Sequence, residues 1–537
     1  MSSKFFHGSS LLESGNTTPG CHLTEEEKKI YLTVLEKCRD YGLDFYPTII
    51  QKLRYDEMSE IAAYGGFPVR YPHWKFGMEY EELQRGYEYN QHRIYEMVIN
   101  TNPCVIYIMN SNTLVDNVCV VAHATGHNDF FKVNKFFSPT DVNMMNQLAN
   151  NGSRIRKYMS RWGRERVTEF IDHVLRLQTL IDPAKAWNER NIKDHIIRDS
   201  RHYEQPRRLK VDDDRMHMDP WVNPKTFRAE ENERISRHEI AHELDIFESP
   251  DKDIFGYIKD NAPLKPWQAD IISMLYEESI YFSPQRATKT LNEGWASYID
   301  YEIMTRQGYV SHGQKVYGDG LIQYSVHKMG VLGGKYSMNP YKLGFYLLLD
   351  IEDRWNKGKF GPAWESCNDL VVREKWDKQL GLGKQKIFEV RKFYDDVTFI
   401  QEYFTQDFCQ EYEFFEWKHY PNGEYRIENK GDTPEGFKKI KQKLLASRLN
   451  GGLPDIRLCD PNHRNKGWFF LQHFFDGRLI YEPYARDVLT SLNYLWQKEV
   501  VLATHDKDGQ EVVFICVGQD PEKDIALVTR EEYESRW

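Results

Sequence analysis

The sequence predicts a mainly α N-terminal region with a small strand element, followed by a small α/β C-terminal domain. Three observations carry this. Apolar residues recur at spacings of three and four in long segments between positions 24 and 450, the signature of helices with one buried face. One early run, CVIYIMN at 104–110, has the β-branched and aromatic content of a buried strand. After the turn-forming triplet Asn450-Gly451-Gly452, short β-rich runs replace the helical pattern. The expected organisation is a flexible tail at 1–23, a helical core domain at 24–450 with a charged insertion at 188–252, and an α/β domain at 451–537.

Taken in order, TEEEKKIYLTVLEKCRDY (24–41) opens with Thr and three acids and predicts the first helix. AAYGGFPVRYPHWKFG (62–77) and INTNPC (99–104) read as loops, the kind of segment that carries function on a rigid scaffold. The strand at 104–110 leads into a helix over about 112–134, and further helices are expected at about 139–151 and 155–181. Residues 188–252 are dense in both charge signs with little periodicity, which predicts an exposed insertion, partly ordered at best. Helices resume at 266–282 and 288–304, and again at 339–355, where Asn-Pro supplies an N-cap and a first-turn proline. In the tail, IRLCD, GWFFLQHFF, GRLIYE, VVLATH and EVVFICV read as strands around one helix at 485–497.

Bulk properties narrow the function. With 537 residues, 40% hydrophobic and 28% charged, the chain has the composition of a globular protein. No run approaches the ~20 apolar residues of a spanning helix, and the opening MSSKFFHGSSLLESGNTTPG lacks the apolar centre of a signal peptide, so a cytoplasmic location is expected. Eight scattered cysteines without a C-x-x-C pair argue against a disulfide framework and against a thiolate zinc site. A formal charge of −10 argues against a nucleic-acid partner.

The chemically suggestive stretch is VVAHATGHNDFF (120–131), which places His123 and His127 four residues apart. On a helix such a pair faces one way and can reach a single ion. Chance alone gives ~0.6 such pairs for 18 histidines in a chain of this length, so core histidines hydrogen-bonded within a bundle are the competing reading. Gly126 adds weight to the functional reading: a helical glycine costs ~1 kcal/mol relative to Ala and suggests a close approach to the backbone. A zinc peptidase would carry Glu after the first histidine as a base, and this chain has Ala124. Glu293 in TKTLNEGWASY suits a third ligand delivered from a separate helix, the competing reading being a first-turn acid favoured by the helix dipole. HEIAH at 238–242 matches H-E-x-x-H literally, but its charged surroundings favour a solvated helix face. Arg70, Tyr71, His73 and Trp74 could line a pocket or simply pack a loop. His327 in YSVHKMG is a candidate ligand or outer partner, and Asp129 lies close enough to His127 to serve it or to form a salt link.

Several ordered blocks, GGFPVRYPHWKFG, YEMVINTNPCVIYIMNSNT, AHATGHNDFFKVN, TKTLNEGWASY, NPYKLGF and the tail IRLCD…LQHFFDGRLIYEPYARDVLTSLNYLWQKEVVLAT, resemble the stage V sporulation protein R (SpoVR) family over roughly 25–505. The resemblance implies a cytoplasmic bacterial protein linked to spore cortex or cell-envelope formation. It also implies partnership with a PrkA-type serine kinase and a von Willebrand-like companion protein. The family pattern of paired histidines plus N-E-G-W-A falls on His123, His127 and Glu293. Two positions depart from it: Val133 stands where members often carry Asn, and Asp300 where some carry His. The insertion with HEIAH is where members vary most, which further demotes that motif.

The sequence therefore predicts a hydrolase-like Zn2+ site with His123, His127 and Glu293 as ligands and water in the remaining position. Because Ala124 supplies no base, the proton must go to Asp129, Glu293 or His327. The alternative is a non-catalytic regulatory or scaffold protein that keeps a metal for stability, with His327 or His73 as a fourth ligand.

Overall fold

A computed structural model describes residues 22–88, 96–184, 250–307, 320–333 and 339–536. The described chain forms two compact units. One comprises the chain up to Glu169 together with Ile280–Leu453, and the other comprises Phe170–Ser279 together with Pro454–Trp537. Most of the predicted insertion at 188–252, including HEIAH, and nearly all of the predicted tail at 1–23 lie outside the described residues. Among the described residues no helix is long and apolar enough to cross a membrane.

In the first unit, the helix Glu25–Tyr41 starts at a capping box in which Thr24 and Glu27 satisfy each other's backbone N–H groups. Three strands follow: β1 (Thr48–Leu53), β2 (Glu96–Ile99) and β3 (Cys104–Met109). They form a sheet in the order β1-β3-β2, with β1 parallel and β2 antiparallel to the central strand. All six residues of β3 are buried. Ile106 and Ile108 face the main helical core, whereas Val105, Tyr107 and Met109 face a second cluster with Met144, Leu148 and Tyr281. Burial on both faces explains why this strand reads as one continuous apolar run.

The sheet delivers the chain into the histidine helix, Leu114–Val133, whose start is fixed by a capping box between Thr113 and Asp116. Every residue from Asn117 to Phe131 is buried, the polar His123, His127, Asn128 and Asp129 included, so the helix is enclosed on all sides. The next helix runs unbroken over Met144–Trp162, not over the predicted 139–151 and 155–181. Gly152, which falls between those two predicted segments, packs within the helix, where an added Cβ would lie 3.2 Å from the Arg70 carbonyl oxygen. The break falls at Gly163, whose φ of +92° ends the helix.

The glutamate helix, Lys289–Tyr301, is followed by a π-helical turn at Glu302–Arg306. Two glycines set how it packs. An added Cβ on Gly126 of the histidine helix would lie 2.8 Å from Ala296 Cα, and one on Gly294 would lie 2.4 Å from the carbonyl carbon of Gly344 in the helix Pro340–Lys357. That last helix starts as predicted, with Asn339 accepting from the N–H groups of Tyr341 and Lys342. Asp396 caps the glutamate helix from outside: its buried carboxylate accepts from the N–H groups of Thr290 (2.7 Å) and Leu291 (2.8 Å). A short hairpin, β4 (Glu416–His419) with β5 (Tyr425–Asn429), lies near the end of this unit.

The Asp396 cap has a measurable pH signature. Burial pushes its carboxyl up to about 6 against the two backbone donors that hold it down. A carboxyl raised on folding binds its proton more tightly in the folded than in the unfolded chain, so its contribution favours the folded state at low pH and is lost as pH rises through about 6. Relative to Asp396→Asn, the native chain should gain on the order of 3 kcal/mol between about pH 7 and pH 3, read from urea midpoints. A difference that stays flat over that window would refute the assignment.

In the second unit, five strands are ordered β10-β9-β8-β7-β6: β6 (Ile456–His463), β7 (Trp468–His473), β8 (Val500–His505), β9 (Glu511–Cys516) and β10 (Ile525–Thr529). Only β7 and β8 pair in parallel. A parallel pair needs a crossover, and the helix Glu482–Trp496 supplies it. The predicted strand GRLIYE is therefore a correction: it is the irregular entry to that crossover, with Leu479 and Tyr481 exposed. The strand β10, at IALVT, was not predicted; it is an edge strand with only Ile525 buried and Ala526, Leu527 and Thr529 exposed.

Candidate metal centre

The histidine and glutamate helices run in opposite directions past each other, as their side-chain pairs show: His123 meets Asp300 and His127 meets Asn292. Their crossing lies at Gly126 and Ala296, where the missing Cβ lets the backbones approach. This places both imidazoles, centroids 4.8 Å apart and nearly perpendicular, against the Glu293 carboxylate. His127 Nε2 is 3.3 Å and His123 Nε2 3.7 Å from Glu293 Oε2. One ligand atom from each of the three residues lies within 4.8 Å of the other two. Ligands at ~2.0–2.2 Å around a tetrahedral ion sit ~3.3–3.6 Å from each other, so the set needs only a small contraction to hold one.

The outer nitrogens explain the orientation. A carboxylate only accepts, so His123 donates its Nδ1–H to Asp300 at 2.9 Å, and His127 donates its Nδ1–H to the Asn292 side-chain oxygen at 2.9 Å. With an ion between them, each imidazole would turn a bare Nε2 toward it, the arrangement that metal-binding histidines share; without one, an Nε2–H faces the Glu293 carboxylate. Burial works to raise the Glu293 pKa, but the His127 and His123 imidazoles outweigh it and hold the carboxyl well below the usual carboxylate range. It is an anion, suited to coordinate. Asp300 is likewise held low despite burial, by Lys328 and His123.

The other predicted site residues are placed as follows. Asp129 is not brought to the cluster. Its fully buried carboxylate accepts from Trp295 Nε1 (3.0 Å), from the Asp44 N–H (2.7 Å) and from Arg391, so it ties the histidine helix to its neighbours and has no free direction from which to take a substrate's proton. His327 lies outside the three-ligand group, with Nδ1 3.7 Å from Asp116, and burial lowers its pKa. His73 is packed among Tyr71, Trp74 and Phe76 and does not join the group either. Ala124 is buried in the core, so no base follows His123.

Sequence reasoning missed Tyr324 and Lys328, and it noted Asp300 only as a departure and Asn292 only as a neighbour of Glu293. A signal for the last two was present. Asn292, Glu293 and Asp300 lie at i, i+1 and i+8 on one helix, so a face that presents the ligand also presents partners for two rings.

A family model described as SpoVR like protein matches residues 23–453. The chain belongs to the SpoVR-like family. The matched span contains His123, His127 and Glu293, and it ends at the last residue of the first unit. A SpoVR-like relative is the "Uncharacterized protein YcgB" of Escherichia coli (strain K12), 26% identical over 507 residues, covering 89% of this chain and 92% of that protein. No solved structure matches this SpoVR-like chain.

Proposed function

We propose that this SpoVR-like protein is a metal-dependent hydrolase whose His123, His127 and Glu293 hold a Zn2+-like divalent ion, and that, in the sporulation context its family name implies, it acts on the cell envelope. The observation that carries the reading is the convergence of two neutral-capable imidazoles and one ionised carboxylate, each imidazole oriented by its own outer hydrogen bond. Structural zinc sites are usually closed by four protein ligands. Among the described residues no fourth His, Cys, Asp or Glu joins this group, which favours a working site over a scaffold.

An ion bound there supplies Lewis acidity at neutral pH. The chain's own residues supply the rest. Glu293 contributes the one negative charge of the ligand set, and Asp300 and Asn292 keep both Nε2 atoms aimed inward. With position 124 apolar and Asp129 committed elsewhere, His327, whose pKa burial lowers, is left as the proton carrier. The test is incubation of the zinc-loaded protein with purified peptidoglycan, with released fragments followed by chromatography. Release that stops with chelator and with Glu293→Gln is expected. No release from any envelope polymer or cross-linking peptide, by protein shown to contain metal, would leave the site to a regulatory role beside a PrkA-type kinase.

A further inference from the structure

A third helix, Gly320–Leu332, reaches the back of the site. Tyr324 donates its hydroxyl to Asp300 Oδ1 at 2.8 Å, and Lys328 Nζ lies 2.7 Å from Oδ1 and 2.9 Å from Oδ2 of the same carboxylate. Lys328 donates also to the Ser297 carbonyl oxygen at 2.8 Å and lies over the Phe345 ring. We propose that Lys328 and Tyr324 are positioning residues for the metal centre: by locking the carboxylate that orients His123, they set how tightly, and in what geometry, the three ligands take a divalent cation. The proposal rests on the metal reading above and extends it to residues outside the three-ligand group.

Three features support a role beyond packing. Asp300 and Lys328 are both buried, and placing an ion pair there has a desolvation cost that an apolar pair of equal size would avoid. The pair is also one-sided. His127 is held by the neutral amide of Asn292, whereas His123 is held by a carboxylate that itself has a cation behind it. A carboxylate behind a ligand imidazole fixes its plane and strengthens it as a donor, and the loss of such outer partners costs ~10–100-fold in metal affinity. Finally, His123, Tyr324 and Lys328 together occupy both Asp300 oxygens, so the carboxylate has no freedom to rotate away from His123 while all three contacts stand.

The test uses the full-length protein, stripped of metal and titrated with Zn2+ against a chromophoric chelator, and separately loaded with Co2+ to read ligand geometry from its visible spectrum. The native chain should take one equivalent. Lys328→Met should bind Zn2+ ~10–100-fold more weakly and shift the Co2+ bands, and Tyr324→Phe should show a smaller change of ~3–10-fold in the same direction. Circular dichroism establishes that each variant is folded; if Lys328→Met is not, Tyr324→Phe decides. Native binding with unchanged affinity and an unchanged Co2+ spectrum in the folded variants would overturn the positioning role while leaving the metal site intact. A native chain that takes up no Zn2+ would overturn the metal reading and this inference with it.

Discussion

Exchanging His123 and His127 together for alanine should reduce bound metal from about one equivalent to less than about 0.1. Two of the three ligand atoms leave, and one carboxylate, whose charge the two imidazoles now help to hold, is a weak site alone. The fold should survive at a cost of about 1–3 kcal/mol. Asp300 keeps Lys328 and Tyr324, so it is not stranded, whereas Asn292 loses its partner and two cavities open beside Gly126. Elemental analysis of gel-filtered protein beside the native chain, with a thermal melt of each, measures both effects. Equal metal in the two preparations would end the case for this site.

The largest loss of stability is expected at the two glycines that join the glutamate helix to Pro340–Lys357. A Cβ on Gly344 would lie 2.1 Å from the Thr290 carbonyl oxygen, and one on Gly294 would meet Gly344 at 2.4 Å. The obstacles are backbone atoms, which have no rotamer to escape into, so the helices must separate. Gly344→Ala should destabilise by more than about 3 kcal/mol and lower metal content as well, since Glu293 adjoins the contact. Gly330→Ala is the matched control: it also lies in a helix, with nothing within 4 Å of the added carbon, and should be neutral or slightly stabilising. Similar urea midpoints for the two variants would show that the close approach is not a feature of the folded protein.

How much of this was legible depends on whether a signal is local. The helix at 114–133 and the strand at 104–109 follow from periodicity and composition, because the strand is one continuous apolar run and the helix carries the apolar stretch Val118–Ala122. Gly126 announced a close neighbour, and Ala296 is that neighbour. Gly152 likewise marks a close approach, to the Arg70 backbone, inside a helix rather than at its end. His123, His127 and Glu293 were identifiable from residue type and spacing joined to the family pattern. The network behind them was not, since Lys328 and Tyr324 become partners of Asp300 only when a distant helix docks. For Asp129 the residue type was right and the direction was not: two positions beyond His127 a helix has turned by about 200°, toward Trp295 and Arg391.

The unit that holds the metal centre is made of two stretches of chain, with 170–279 assigned elsewhere. On a ribosome adding ~5–20 residues each second, the segment with both histidines emerges roughly 10–30 s before Glu293. Throughout that interval the helix can pack on Glu25–Tyr41 and β3, but the face that meets Lys289–Tyr301 has no partner. Newly made chains would therefore depend on holding factors that shield Leu114–Val133, and truncation between the two stretches should give aggregates rather than a smaller folded protein.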